Sequence, residues 1–271
     1  MLSAMALLAL TRMTAVDAAR QPVTWLMTGI SAVLLMLSFL FGMFNFEAED
    51  RMRMLATAGV AVGLLNGLFL GVVLASQSIH DELASRTALT LFAKPLGRGS
   101  FLMGKALGVW LVVAASIVLL AGLHFSFLAW GQSIGFEDAL DNHDHGGGAA
   151  NQGEELVAVP WAAILLAHLL GLGHTAILAT MAVVLALRFG LVTNILVCFA
   201  MFVAGHLLAG FKTMGFLVIP ALAAFNIDDV IQLPGQAVSW SYLLIAGLYT
   251  VCFCAGCLLL GLAAFRRQDI P

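Results

Sequence analysis

Apolar residues in this chain neither alternate nor recur at the spacing of a half-buried helix. They come in long unbroken runs separated by short charged segments. Six runs free of Asp, Glu, Lys and Arg stand out: Val23–Phe44, Met54–Gln77, Ala106–Trp130, Trp161–Leu187, Leu191–Leu208 and Trp240–Phe265. A hydrocarbon core about 30 Å thick takes roughly 20 residues of helix, and open strands would leave their backbone groups unpaired in lipid. Each run is therefore predicted to be a spanning helix. A seventh apolar stretch, Gly215–Phe225, has only 11 residues and contains Pro220, so it reads as an interfacial or re-entrant piece.

Composition sharpens this picture. Hydrophobic side chains make up 62% of the 271 residues and charged ones 10%, with a mean hydropathy of +1.02, which excludes a soluble globule. Six spans with short loops leave no room for a separate catalytic domain. The expected architecture is all-α: a polytopic membrane protein, residues 1–271 forming one transmembrane domain. The net charge of −3 points to neither nucleic acid nor an acidic substrate. Cys198, Cys252, Cys254 and Cys257 all fall in apolar runs, so no disulfide framework is implied.

Charge distribution orients the chain. With the amino terminus in the cytoplasm, inner segments hold Arg12, Arg20, Arg86, Lys94, Arg98, Lys105, Arg188, Arg266 and Arg267, nine of the 12 basic residues. Most acidic residues then fall outside. This is the positive-inside arrangement, and both termini are expected to be cytoplasmic. Trp25, Trp110, Trp130, Trp161 and Trp240 all lie near proposed span ends, where an indole suits the headgroup region. Residues 1–21 lack the basic start and the small-residue cleavage site of a signal peptide. They are expected to form an amphipathic interfacial helix on the inner leaflet, with Arg12, Asp17 and Arg20 toward water and Leu7, Leu8, Met13 and Val16 toward lipid.

Candidate chemistry is sparse. Between spans two and three, residues 79–105 form the longest charged inner segment. It reads as a short amphipathic helix with Glu82 and Arg86 at i and i+4, stopped by Lys94-Pro95 and turned back by Gly97 to Gly99. An ordinary solvated loop is the other reading. Gly99 to Lys105 satisfies G-x-x-x-x-G-K, but Ala106 replaces the Ser or Thr that would hold magnesium and no strand precedes it, so no nucleotide site is expected here. In span two, Gly59, Gly63, Gly67 and Gly71 share one helix face and make a packing seam, facing either this chain or a second copy.

His124, His168 and His206 lie at one depth in the outer third of the membrane and His174 lies nearer the middle. Three imidazoles at one depth suit a metal or haem iron, or polar contacts between helices. Cys254 and Cys257 share a helix face while Cys252 points elsewhere, so small packing residues are the simpler reading. The outer loop 131–160 carries Glu137, Asp138, Asp141, Asp144, Glu154 and Glu155 around His143, His145 and Gly146 to Gly148. It is read as a solvated linker, with weak cation binding or docking of a periplasmic partner as the other uses.

Apart from histidine, the spans hold no ionisable carboxylate or base to couple an ion gradient to transport. Energy for moving anything must then enter from a cytoplasmic protein, and the inner hairpin is the available handle. The pattern Glu82-x-x-x-Arg86-Thr87, Ala93-Lys94-Pro95, Arg98, Phe101 and Gly104-Lys105-x-x-Gly108 resembles the coupling-loop signature of ABC transporter permeases of the type-2 exporter class. Asp17 and Arg20, Gly205-His206, Ile219-Pro220, Phe225-Asn226 and the closing Phe265 to Asp269 are further points of similarity. The nearest subgroup is the six-span permeases of nitrous-oxide-reductase and other copper-enzyme maturation.

The resemblance implies a subunit without catalytic residues, in the plasma membrane (the bacterial inner membrane). ATP and magnesium would be bound by a separate cytoplasmic ABC ATPase, and this chain would hold no cofactor. Asp81, Glu82, Arg86, Thr87, Lys94, Pro95 and Arg98 would serve the coupling: Glu82 and Arg86 would fix the coupling helix, and Lys94 and Arg98 would anchor it near anionic lipid headgroups. A second permease chain, identical or different, would complete the route. A membrane redox or metal-site protein using His124, His168, His206 and the span-six cysteines is the alternative, and an anchor that only recruits an ATPase is a third.

Overall fold

The computed structural model describes residues 2–45, 48–84, 97–134, 159–207, 219–232 and 238–266. In chain order these form α1 (Leu2–Arg20), α2 (Pro22–Asn45), α3 (Ala48–Ala84), α4 (Arg98–Ser133), α5 (Trp161–Leu185), α6 (Leu191–Leu207), a 3-10 turn (Leu222–Phe225), α7 (Asp228–Gln232) and α8 (Trp240–Arg266). No strand occurs among the described residues. Helices α2, α3, α4, α5 and α8 are long and apolar enough to cross a membrane, whereas α6, with 17 residues, is shorter. The protein is thus an all-helical, multi-pass membrane protein by composition and length.

Two helices overrun their expected bounds. Helix α3 has 37 residues and α4 has 36, so each is about 55 Å long at 1.5 Å per residue, well beyond a core of about 30 Å. The expected separate amphipathic helix therefore starts as a continuation of span two: His80 to Ala84 are the last turns of α3. Nothing from Ser78 to Ala84 is Gly or Pro, so charge appears in the sequence without any break in the helix. On the return, Gly97 is extended and Arg98 and Gly99 are already helical, so the turn back ends one to two residues earlier than expected.

Helix α3 lies at the centre, with 67% of its most apolar stretch buried against 6% for α8. Leu244, Ile245, Leu248, Val251, Leu259 and Leu260 of α8 face outward, a surface suited to acyl chains. Polar side chains tie the inner helices. Asn66 of α3 donates from Nδ2 to Ser116 Oγ of α4 (2.8 Å) and accepts at Oδ1 from Ser31 Oγ of α2 (3.2 Å), while Thr28 and Ser116 hydroxyls meet at 2.8 Å. Asn194 of α6 donates to Ser76 Oγ of α3 (2.7 Å) and to the Ala182 carbonyl of α5 (3.0 Å). Such interhelical bonds contribute about 0.6 kcal/mol each in membrane proteins, and they fix register as well as stability. Trp110, expected at the headgroups, instead donates its indole N–H to the Leu172 carbonyl of α5 at 3.0 Å.

Helix α1 departs from a simple interfacial helix. Arg12, Asp17, Arg20, Leu8, Met13 and Val16 are all exposed, but at 100° per residue Met13 and Val16 share a side with Arg12 and Arg20. Its buried face is Leu10, Thr11, Thr14 and Ala18, held against α4. Gly104 and Gly108 of α4 permit this: a Cβ on Gly104 would stand 2.8 Å from Leu10 Cδ2, and one on Gly108 2.6 Å from Thr14 Cβ. The α1–α2 corner is closed by Thr24 Oγ1 donating to the Ala18 carbonyl at 2.6 Å, with Pro22 at the first position of α2.

The short apolar stretch before α8 is not a spanning helix where it is described. Residues 219–227 are irregular with one 3-10 turn, packed at the level of His174, midway along α5, with the Phe225 and His174 rings 6.2 Å apart. Gly205 lets the Pro220 carbonyl approach, since a Cβ there would sit 2.6 Å from it. The chain has two tyrosines, and both serve this turn. Tyr249 accepts the Ala221 N–H at 2.9 Å, and Tyr242 donates to the Ala224 carbonyl. Irregular backbone inside a membrane needs such protein partners. Residues 215–218 lie outside the described residues.

Candidate functional site

The candidate site is the end of the bundle where α3 and α4 are joined by residues 85–96. Arg86, Thr87, Lys94 and Pro95 lie outside the described residues; Asp81, Glu82 and Arg98 lie within them. Asp81 is exposed on the last turn of α3, and Arg98 opens α4. Glu82 turns inward. Its Oε1 is 2.5 Å from Lys105 Nζ of α4, and the same ammonium donates to Ser78 Oγ at 2.9 Å. Ser78 and Glu82 stand four residues apart on one face of α3, so a single cation on α4 answers one helical turn of α3.

Lys105 is only 5% exposed. A buried ammonium is costly unless paired and hydrogen-bonded, and removing the partner of such a pair costs about 3–5 kcal/mol. The Phe101 ring, one turn earlier on α4, adds a face 6.0 Å from the cation. Glu82 thus pairs between helices with Lys105; Arg86, its expected partner at i+4, lies outside the described residues. Gly99 to Lys105, expected to turn and lead into a span starting at Ala106, is already part of α4, which is helical from Arg98. The first turns of α4 form a junction: Lys105 meets α3, Gly104 and Gly108 seat α1, and a Cβ on Gly99 would lie 3.6 Å from Leu262 of α8.

The glycine seam of α3 faces this chain's own α4 and α5. A Cβ on Gly59 would stand 2.2 Å from the His124 ring, and one on Gly67 2.2 Å from Thr175 Cγ2. At Gly63 and Gly71 the nearest atoms, on His168 and Val113, are 3.6 Å away. Gly59 lets His124 reach the α3 backbone: His124 Nε2 is 3.0 Å from the Leu55 carbonyl, and His124 Nδ1 is 3.0 Å from His168 Nε2. A carbonyl only accepts, so Nε2 is the donor. A singly protonated His124 then accepts at Nδ1 from His168 Nε2.

His206 does not join them. Its ring stands 5.6 Å from that of His174, and its Nδ1 donates to the Phe202 carbonyl at 2.9 Å. The expected common depth holds for His124 and His168 but not for His206, which meets His174, six residues or about 9 Å further along α5. His174 is 1% exposed, and neither ring nitrogen has a hydrogen-bond partner among the described residues. Cys254 accepts from Thr180 Oγ1 at 3.5 Å, Cys252 is exposed, and Cys198 lies on α6 beside Asn194. Among the described residues no three His, Cys, Asp or Glu side chains are grouped to hold a metal ion. The acidic His- and Gly-containing centre of the outer loop lies outside the described residues.

Lys105, Ser78, Asn66 and the two tyrosines carry most of the polar geometry, and the motif reading assigned none of them a partner. Each is a single polar residue beside or within an apolar run, a signal that marks a contact without naming it. No family model matches the chain, and no curated protein matches it.

Proposed function

We propose that this chain is the membrane-spanning permease subunit of an ATP-driven ABC exporter of the type-2 class, moved at its inner hairpin by a separate cytoplasmic ATPase. The observation that carries the reading is the pair of overlong helices. Antiparallel α3 and α4 bring the ends flanking residues 85–96 to one side, and there the buried Glu82–Lys105 contact braces them together. That is the form of a lever. The six-span topology with α6 as the fifth crossing, cytoplasmic termini, a plasma-membrane location and a second permease chain belong to this reading, as does transport or mechanical work as the output.

With Glu82 bound to Lys105, contact with the ATPase falls to Asp81, Arg86, Thr87 and Pro95, with Lys94 and Arg98 beside them at the headgroup level. The alternative, a redox or metal protein built on His124, His168 and His206, is less well supported, because His124 spends both nitrogens on His168 and Leu55 and His206 stands apart.

The paired substitution Asp81→Ala with Arg86→Ala tests the assignment. Copurification of the ATPase should fall roughly tenfold, as for a loss of about 1.4 kcal/mol. Undiminished copurification and ATP turnover would remove the hairpin from the interface.

A further inference from the structure

The geometry points to Lys105 as the positioning residue that makes the hairpin and the spans move as one body. The inference rests on the reading of the hairpin as the point where an ATPase pushes. Force applied at residues 85–96 reaches two helix ends, and a helix pair transmits it only if its ends cannot slide past one another. Asn66–Ser116 and His124–Leu55 fix the register of α3 against α4 further along the pair; at the ends where the force enters, apolar side chains give little resistance to sliding, because the acyl chains are as apolar as the neighbouring helix. The Lys105 ammonium, withdrawn from water, does resist it: a shift of one turn, about 5 Å, would carry it away from Glu82 and Ser78 and leave it buried.

Lys105 is placed for this. It is the buried cation about two turns inside the start of α4, it holds Glu82 at 2.5 Å and Ser78 at 2.9 Å, and its neighbours Gly104 and Gly108 seat α1. Movement of α4 is thereby passed to α3 through charge and to α1 through close packing. Lys105 touches neither nucleotide nor cargo in this scheme, and its role is exercised through the helices it joins.

The test uses the chain reconstituted with its ATPase in nanodiscs, with spin-labelled unnatural amino acids at Ser133 and Ser239, beside the far ends of α4 and α8. Pulsed electron resonance reads whether trapping ATP changes the distance between them. The native chain should show a change. In the apolar pair Glu82→Leu with Lys105→Met, which removes both charges and leaves neither stranded, the ATPase should remain bound and the change should be lost. In the exchanged pair Glu82→Lys with Lys105→Glu, the change should return. A purely structural role predicts that the well-packed apolar pair keeps the change, and that result would overturn the inference.

Should the apolar pair fail to fold, the exchanged pair decides: an ATP-dependent change supports the inference, and a folded complex without one overturns it. A native chain that binds no ATPase would instead overturn the underlying reading of the hairpin.

Discussion

Gly59 and Gly63 stand four residues apart on one face of α3, yet they answer to different constraints. A Cβ at Gly59 would overlap the His124 ring, which cannot retreat without giving up Leu55 or His168, whereas a Cβ at Gly63 would make ordinary contact with His168. Gly59→Ala should therefore destabilise the chain by about 1–3 kcal/mol, as overpacking does, and Gly63→Ala by less than about 0.5 kcal/mol. Thermal unfolding in detergent compares them, and equal losses would contradict the difference. His174 gives an opposite expectation. A buried imidazole with no partner among the described residues costs about 1–3 kcal/mol, so His174→Leu should raise the unfolding midpoint; a lowered one would show that its nitrogens are met by a group outside those residues. From the sequence, the seam and the common depth of His124 and His168 were legible because both follow from counting along a helix; the depth of His206 was not, since it meets His174. Which histidines meet was not, since that depends on how α4, α5 and α6 are rotated against each other.

At the scale of elements, the spans were legible wherever a run of apolar residues sets the length, and their ends were obscured wherever a charge is absorbed by a tertiary partner. Helix α3 shows why: Asp81 and Glu82 look like loop residues in sequence, but Glu82 is paired with Lys105 and the helix continues. Helix α1 shows the same in reverse. Its charges suggested a helix divided between water and lipid, and the deciding feature, the close approach to Gly104 and Gly108, lies some 90 residues away. Gly108→Leu should push α1 off α4, read as faster proteolysis near Arg12 and Arg20 while the spans stay protected; unchanged cleavage would mean that α1 is held elsewhere. In the irregular turn, Tyr249→Phe removes the acceptor for the Ala221 N–H. The cost should be about 1–3 kcal/mol, with faster amide exchange at residues 219–227, and no change in exchange would show that the turn finds another acceptor.

For the whole molecule, the described residues form a central α3 surrounded by α2, α4 and α5, an outer α8 facing lipid, and two long helices, α3 and α4, that flank residues 85–96. The apolar spans contain no carboxylate to couple an ion gradient, so the account places the source of motion in another protein. Lysine-directed crosslinking on membranes carrying the native chain, read by mass spectrometry, asks what lies against that hairpin. The account predicts crosslinks from Lys94 to a nucleotide-binding ATPase subunit that copurifies with the chain and hydrolyses ATP. An intact chain purified without any ATPase, with Lys94 crosslinked to no such subunit, would contradict it.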